Sequence, residues 1–150
     1  MKVNQAEVTA RSMGLLLRSL KLENPPYDFD AAFKTLAHDE TQMLQVLSSP
    51  LFTEHSAQIA ELAIRYRLPT MFIFKHYVEV GGLMSYSVDP APLWRRAASY
   101  AAKILRGARP TDLAIEQVAN YAFTVNLKTA KAIGVTLPTS ILLRADEVIE

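Results

Sequence analysis

Short apolar runs alternate with amphipathic helical patterns through residue 106, and this alternation is the feature that most constrains the fold. Apolar runs of about four to eight residues bounded by turn residues indicate buried strands. Apolar residues at i, i+3, i+4 and i+7 indicate a helix that buries one face. A strand–helix–strand order favours a largely parallel sheet with helices on both faces. The sequence therefore predicts an α/β fold with a largely parallel, doubly wound sheet.

Capping residues and glycines help to place these elements along the chain. Asp28, Thr53 and Asn126 are expected to be N-caps, because their side-chain oxygens can accept hydrogen bonds from the first amides of a helix. Gly14 and Gly134 are expected to end helices, because glycine adopts a left-handed conformation without strain. The predicted strands cover 15–23, 43–47, 70–74, 83–86 and 121–125. The predicted helices begin near residues 4, 28, 53, 92 and 126, and a last helix covers 139–149.

Composition narrows the classes of function that suit this chain. It has 150 residues, which suits one domain, and 16 basic against 15 acidic residues give a net charge of +1. Nucleic-acid binders usually carry a clear basic excess, so no nucleic-acid partner is expected. The chain has no cysteine, which excludes disulfides, thiolate nucleophiles and most structural zinc sites.

Motifs for catalysis or cofactor binding are missing from the sequence. It contains no GxSxG, P-loop or GxGxxG pattern. His38, His55 and His76 lie far apart, form no metal-binding pair, and are expected to be solvated surface residues. We therefore predict a protein that is not an enzyme and needs no cofactor or metal.

Aromatic and hydroxyl side chains cluster at or just after the predicted strands, in the loops 48–52, 74–77 and 86–89. In an open parallel sheet, ligands bind outside the carboxyl ends of the strands. Aromatic walls with a few hydrogen-bond donors suit a small amphipathic ligand. The alternative is that the aromatic residues belong to the core and the serines to turns. The predicted ligand-binding residues are Ser48, Ser49, Phe52, Phe74, Tyr77, Ser85, Tyr86 and Ser87.

Several motifs in a fixed order resemble one protein family. They are 81–86 (GGLMSY), 93–98 (LWRRAA), 103–110 (KILRGARP), 126–134 (NLKTAKAIG) and 143–149 (LRADEVI). Together they are similar to ABC transporter substrate-binding proteins of the tryptophan-binding type. The resemblance is densest from residue 69 to the end. One departure is Ser87, where the family usually has glycine, and its side chain is expected to narrow the site.

The resemblance implies a two-lobed type I periplasmic-binding fold that captures a small solute, such as an amino acid, and delivers it to an ABC permease. This chain resembles the C-terminal part of such a protein. Residues 1 to about 80 would be second-lobe elements, and about 81–150 the hinge and returning segments. The family implies a periplasmic location. The chain as written has no signal peptide, so we expect it in the cytoplasm if it is expressed in this form.

Two alternatives to a solute-binding module stay open at the level of sequence. One is a truncated, self-associating α/β protein that has lost ligand binding, and the other is an enzyme on a doubly wound scaffold. The apolar face of the helix at 91–106 would pack on the first lobe, which this chain lacks. We therefore expect a homodimer that exchanges residues after about Tyr86, with Gly81-Gly82 as the hinge.

Overall fold

The structure is a computed structural model that describes residues 2–22, 25–116 and 121–150. A single 3₁₀ turn, Pro110–Asp112, follows the longest helix. The α-helices are α1 Lys2–Ser12, α2 Phe29–His38, α3 Pro50–Glu54, α4 Ser56–Arg65, α5 Lys75–Glu79, α6 Pro90–Leu105, α7 Leu127–Ile133 and α8 Thr139–Leu142. The strands are β1 Leu44–Gln45, β2 Thr70–Phe72, β3 Met84–Val88, β4 Tyr121–Asn126 and β5 Glu147–Ile149.

The five strands form one sheet in the order β1-β2-β3-β4-β5. β1, β2 and β3 run parallel, β4 is antiparallel to β3, and β5 is parallel to β4. Parallel neighbours need a crossover connection, and here helices α3 and α4 join β1 to β2 while α5 joins β2 to β3. The predicted α/β fold with a largely parallel sheet is confirmed.

The main core forms where α2 and α4 meet the sheet. Phe29 and Phe33 of α2 and Ile59 and Leu62 of α4 are buried, together with Phe72 of β2. Their helical spacing places each pair on one face, as the sequence pattern predicted. The expected cap of α2 is also present, because the Asp28 carboxylate accepts a hydrogen bond from the Ala31 amide at 2.8 Å.

A second, smaller core anchors α7 to the sheet. Leu83 packs with Ala130 and Ile133 of α7. Asn126 caps this helix as predicted, accepting from the Thr129 amide at 3.0 Å, and its Nδ2 donates to the Val78 carbonyl oxygen at 3.0 Å. A buried asparagine, bonded through both ends of its amide, therefore holds the start of α7 against the end of α5.

The strand predicted at 15–23 is wrong over the residues that the structure describes, 15–22, and Glu23 lies outside them. The segment is neither helix nor strand, and Leu15, Leu16 and Leu20 are exposed. A strand is stabilised by hydrogen bonds to a neighbouring strand, and no strand of the described sheet pairs with this segment. Its apolar composition alone therefore does not produce a strand.

The helix predicted at 139–149 is also wrong, because α8 ends at Leu142 and the chain continues as β5. Hydrogen bonds with β4 decide this outcome. The Asp146 amide donates to the Phe123 carbonyl oxygen at 2.9 Å, and the Asp146 carboxylate accepts from the Phe123 amide at 2.8 Å. The free edge of β4 thus overrides the local helical pattern.

Thr53 does not cap a helix, contrary to the prediction. It lies inside α3, which begins at Pro50, and α4 begins only at Ser56. Its hydroxyl lies 3.1 Å from the Ser49 carbonyl oxygen and 3.0 Å from the Tyr77 hydroxyl. The short helices α3 and α5 are not recognisable from sequence, because about one turn carries too few positions to show a period.

The Gly81-Gly82 pair forms a tightly packed turn between α5 and β3. A Cβ on Gly82 would lie 2.5 Å from a ring carbon of Phe72 and 2.7 Å from the Tyr77 carbonyl oxygen. The Gly81 carbonyl oxygen accepts a hydrogen bond from the Thr129 hydroxyl at 2.9 Å. A side chain at Gly82 would therefore fit only if Phe72 and the Tyr77 backbone shifted.

Candidate functional site

The carboxyl ends of three parallel strands meet at one edge of the sheet. Ser48 and Ser49 follow β1, Phe74 follows β2, and β3 ends at Val88. Because β4 is antiparallel to β3, its first residue, Tyr121, lies at this same edge, opposite Val88. In open α/β sheets this edge is where ligands bind, so we take it as the candidate site.

A two-stranded ribbon extends the sheet at this edge. The pairing of β2 with β3 stops at Ser85, whereas the pairing of β3 with β4 continues to Val88 and Tyr121. Tyr86 and Tyr121 are 54% and 55% exposed, and their rings stack at 5.3 Å with an angle of 9° between planes. Phe123 meets Tyr86 edge-on at 6.3 Å. The ribbon therefore presents an exposed aromatic patch, formed by Tyr86, Tyr121 and Phe123.

The predicted site residues after β1 and β2 differ in exposure. Ser48 is exposed and Ser49 is half-buried. Phe52 and Phe74 are half-buried and pack against the main core. The serines can still offer polar groups at the edge, whereas the two phenylalanines mainly support it from the core side.

Two of the predicted site residues have buried side chains. Tyr77 is 2% exposed, stacks on Phe72 at 4.7 Å and bonds with Thr53 through its hydroxyl. Ser85 is also 2% exposed. Contrary to the placement expected from sequence, these two side chains do not reach the surface of the edge.

The alternation of side chains along β3 separates the remaining predicted residues. Successive residues of a strand point to opposite faces, so Ser85 and Ser87 share one face and Tyr86 lies on the other. The pairing register places Phe123 opposite Tyr86 and Tyr121 opposite Val88, on the aromatic face. Ser87, half-buried in the ribbon, therefore lies on the face opposite the aromatic patch.

The sequence reasoning missed Tyr121 and Phe123. Their i, i+2 spacing in a predicted strand was a usable signal, because it places both on one face. Tyr86 itself was predicted, but its contact with these two residues was not predictable, since the pairing of β3 with β4 joins residues more than thirty positions apart.

His76 differs from the solvated residue expected from sequence. It is half-buried, and its ring lies 4.2 Å from that of Tyr77 and 5.9 Å from that of Phe74. Its Nε2 is buried and has no hydrogen-bond partner in the described part of the chain. His55 is also half-buried, against Phe29, whereas His38 is exposed as expected.

Charges near the edge are paired within the protein. Lys75, which begins α5, lies 2.8 Å from Glu147 of β5 and 3.3 Å from Glu79. Hydrogen bonds to these carboxylates, first to Glu147, raise the pKa of Lys75. Over residues 2–22, 25–116 and 121–150, acidic and histidine side chains form no group of three able to hold a metal. In the same ranges, no helix is long and apolar enough to cross a bilayer.

A mostly parallel α/β sheet with an exposed aromatic edge is typical of a ligand-binding domain. A family model described as ABC transporter substrate binding protein matches residues 1–149, so this chain belongs to that family. Proteins of this family are periplasmic or extracellular, are generally non-enzymatic, and bind small molecules for an ABC permease. No curated protein matches the sequence.

Solved structures show the same fold. An ABC domain from Streptococcus pneumonia in complex with L-Trp aligns with a TM-score of 0.83 at 21% identity, over 99% of this chain and 50% of its own. A conserved domain protein from Vibrio cholerae aligns at 0.81 and 22%, over 97% and 49%. A ligand-free, open substrate-binding protein with adhesive properties from Clostridium difficile aligns at 0.72 and 18%, over 99% and 48%. The chain spans about half the length of each.

Proposed function

We propose that this chain is a solute-binding module, complete or partial, of an ABC-type uptake system, and that it binds a small molecule such as an amino acid without chemistry. The aromatic patch carries the proposal: Tyr86 and Tyr121 are exposed and stacked at the edge where open α/β sheets bind ligands. Exposed, parallel rings suit the apolar or planar part of a ligand. The hydroxyls and backbone of Ser48 and Ser49 would bind its polar groups.

The proposed mechanism is capture by lobe closure. In a two-lobed protein, a ligand that contacts both lobes stabilises the closed form, and a permease then recognises that form. We propose that residues to about 80 are elements of the second lobe, and that about 81–150 form the hinge and returning segments. The β3–β4 ribbon, which leads into α6, supports this division. The family supports a periplasmic location and a permease partner for the intact protein.

Helix α6 supports the second candidate, a self-associating protein. None of its side chains is buried, and Trp94 and Leu105 are 70% and 88% exposed. Leu93, Ala97 and Ile104 lie on the same broad apolar arc. A patch of this size usually marks an interface. We therefore propose a homodimer in which the segment after Tyr86, and α6 above all, contacts the other subunit. The two candidates are compatible unless the dimer covers the aromatic patch.

A thermal-shift screen of the twenty amino acids and small carboxylates tests the first candidate. We expect weak, saturable stabilisation by an aromatic or branched amino acid, because half of a two-lobed site offers fewer contacts and excludes less water. At a free ligand concentration of 100 times Kd the gain should be about 2.7 kcal/mol. If no compound stabilises the protein at millimolar concentration while it remains folded, the self-associating candidate is favoured. Turnover of any bound compound would instead favour an enzyme.

A further inference from the structure

The two tyrosines of the aromatic patch form a close pair across the β3–β4 ribbon. The register places Phe123 opposite Tyr86 and Val88 opposite Tyr121, so the two tyrosines are diagonal neighbours on one face. Their ring centroids lie 5.3 Å apart, with 9° between the ring planes. They are 54% and 55% exposed, so an oxidant in solution can reach both rings. The fold therefore holds two phenols in contact at the protein surface.

The other tyrosines of the chain have different surroundings. Tyr27, Tyr66 and Tyr77 pack within or against the main core. The Tyr100 hydroxyl donates to the Ala114 carbonyl oxygen at 2.7 Å. The Tyr66 and Tyr77 rings stack on phenylalanines, and among the described residues none of these rings stacks on another tyrosine. A tyrosine–tyrosine contact is thus specific to the ribbon.

Neighbouring phenols can be joined by oxidation. A one-electron oxidant removes an electron and the hydroxyl proton from each tyrosine, which leaves a phenoxyl radical whose unpaired electron is shared with the ring carbons beside the hydroxyl. Two such radicals form a carbon–carbon bond between these ring carbons. The hydrogen on each joined carbon then moves to the oxygen, which restores both phenols. When a peroxide is the oxidant, hydrogen peroxide takes up the two electrons and two protons and becomes two water molecules.

We propose that Tyr86 and Tyr121 are an oxidative modification site, at which a peroxide-driven one-electron oxidant joins the two rings into an intramolecular dityrosine. Because the fold already holds the rings in contact, their coupling needs no encounter between molecules. The new bond ties β3 to β4 across the segment that contains α6, and it stabilises the fold by restricting the unfolded chain. The compartments in which this family is found, periplasmic or extracellular, are oxidising. The modification does not depend on the proposed function.

Oxidation of the dilute, folded chain tests this proposal. Persulfate with a photoexcited ruthenium complex accepts the same two electrons, becomes two sulfate ions and also works in urea. We expect dityrosine fluorescence, a product with the mass of one chain less two hydrogen atoms, and linked peptides that carry Tyr86 and Tyr121 in tandem mass spectrometry. The product should form about tenfold faster than in the urea-unfolded chain, where the rings are not held together. The urea midpoint of the purified product should rise.

Tyr86→Phe and Tyr121→Phe should each abolish the intramolecular product, because phenylalanine keeps the stacked ring but lacks the hydroxyl that is oxidised. Tyr100→Phe is the matched control. It removes a tyrosine outside the pair and should leave the yield of the product unchanged. Cross-links that form only between molecules, and that disappear on dilution, would overturn the proposal. So would a product that joins other tyrosines, or one that forms equally fast in the urea-unfolded chain.

Discussion

Burial separates two tyrosines that sequence alone treats alike. Tyr77 fills the core with its ring and bonds with Thr53, whereas Tyr86 leaves more than half of its surface in water. A buried aromatic residue contributes mainly to the free energy of unfolding. An exposed one, stacked on a second exposed ring, adds little to stability and is free to bind.

Tyr86→Ala should therefore weaken ligand binding without unfolding the protein. We expect about tenfold weaker binding of whichever amino acid the thermal-shift screen identifies, or about 1.4 kcal/mol. The urea midpoint should hardly change. Leu62→Ala is the opposite control and should cost about 2–5 kcal/mol of stability because Leu62 is buried in the core. Calorimetric titration and urea unfolding measure the two effects. Unchanged affinity in a Tyr86→Ala protein would remove Tyr86 from the site.

Gly82 shows how one missing Cβ permits close packing. Gly82→Ala should destabilise the protein by about 1–3 kcal/mol, because the new methyl group would overlap Phe72 and the Tyr77 backbone. Gly14→Ala is the matched control. It has a left-handed φ of +69° but open space around it, so only backbone strain of about 1 kcal/mol applies. Chemical denaturation measures the free energy of unfolding of both variants. A smaller loss of stability for Gly82→Ala than for Gly14→Ala would contradict the packing argument.

At the scale of elements, a polar network joins α2 to α4. Asp30 of α2 lies 2.6 Å from Lys34, and its carboxylate also accepts hydrogen bonds from Tyr66 at 3.1 Å and Arg65 at 3.4 Å. The hydrogen bond from Lys34 is the main cause that lowers the pKa of Asp30, while partial desolvation opposes it. The network covers the outer side of the contact between Phe33 and Tyr66.

This lowered pKa makes part of the stability depend on pH. The contribution of Asp30 to the free energy of unfolding should be fully present above about pH 4, the pKa of an aspartate in the unfolded chain. It should be lost as the pH falls through the lowered pKa that Asp30 has in the folded protein. Asp30→Asn should therefore be less stable than the native protein at pH 7, with the difference disappearing in strong acid. Glu54→Gln, whose carboxylate forms no ion pair among the described residues, is the control. Urea unfolding across the pH range measures the stability of both variants against the native protein. A stability difference between Asp30→Asn and the native protein that does not change with pH would exclude the ionic explanation.

At the scale of the whole molecule, α6 leaves its apolar side exposed. Its N-terminus is capped by Asp89, and its contacts to residues 109–116 use its polar side, where Arg96 pairs with Glu116 and Tyr100 lies 2.7 Å from the Ala114 carbonyl oxygen. The apolar side, with Trp94 and Leu105, has no buried residue. This exposed apolar side of α6 is the basis of the proposed dimer.

We expect the chain to be a homodimer that Trp94→Glu combined with Leu105→Glu converts to a monomer, because charges on both ends of the apolar side prevent its burial. Sedimentation velocity over a concentration series measures the change. Leu143→Glu, on an equally exposed leucine away from α6, should leave the dimer intact. A native chain that stays monomeric throughout the series, with Trp94 fluorescence typical of an exposed indole, would contradict the dimer.

The sequence by itself determined the α/β class, the buried faces of α2 and α4, the caps at Asp28 and Asn126 and the resemblance to the family. These features depend on periods and caps within a few residues of chain, where local geometry dictates the outcome. Tertiary structure alone decided the features that need a distant partner. The segment 15–22 has strand composition and no neighbouring strand in the described sheet, whereas 147–149 was predicted as helix and becomes a strand because β4 offers a free edge. The aromatic patch likewise depends on the register of β3 with β4, which hydrogen bonds between distant residues fix.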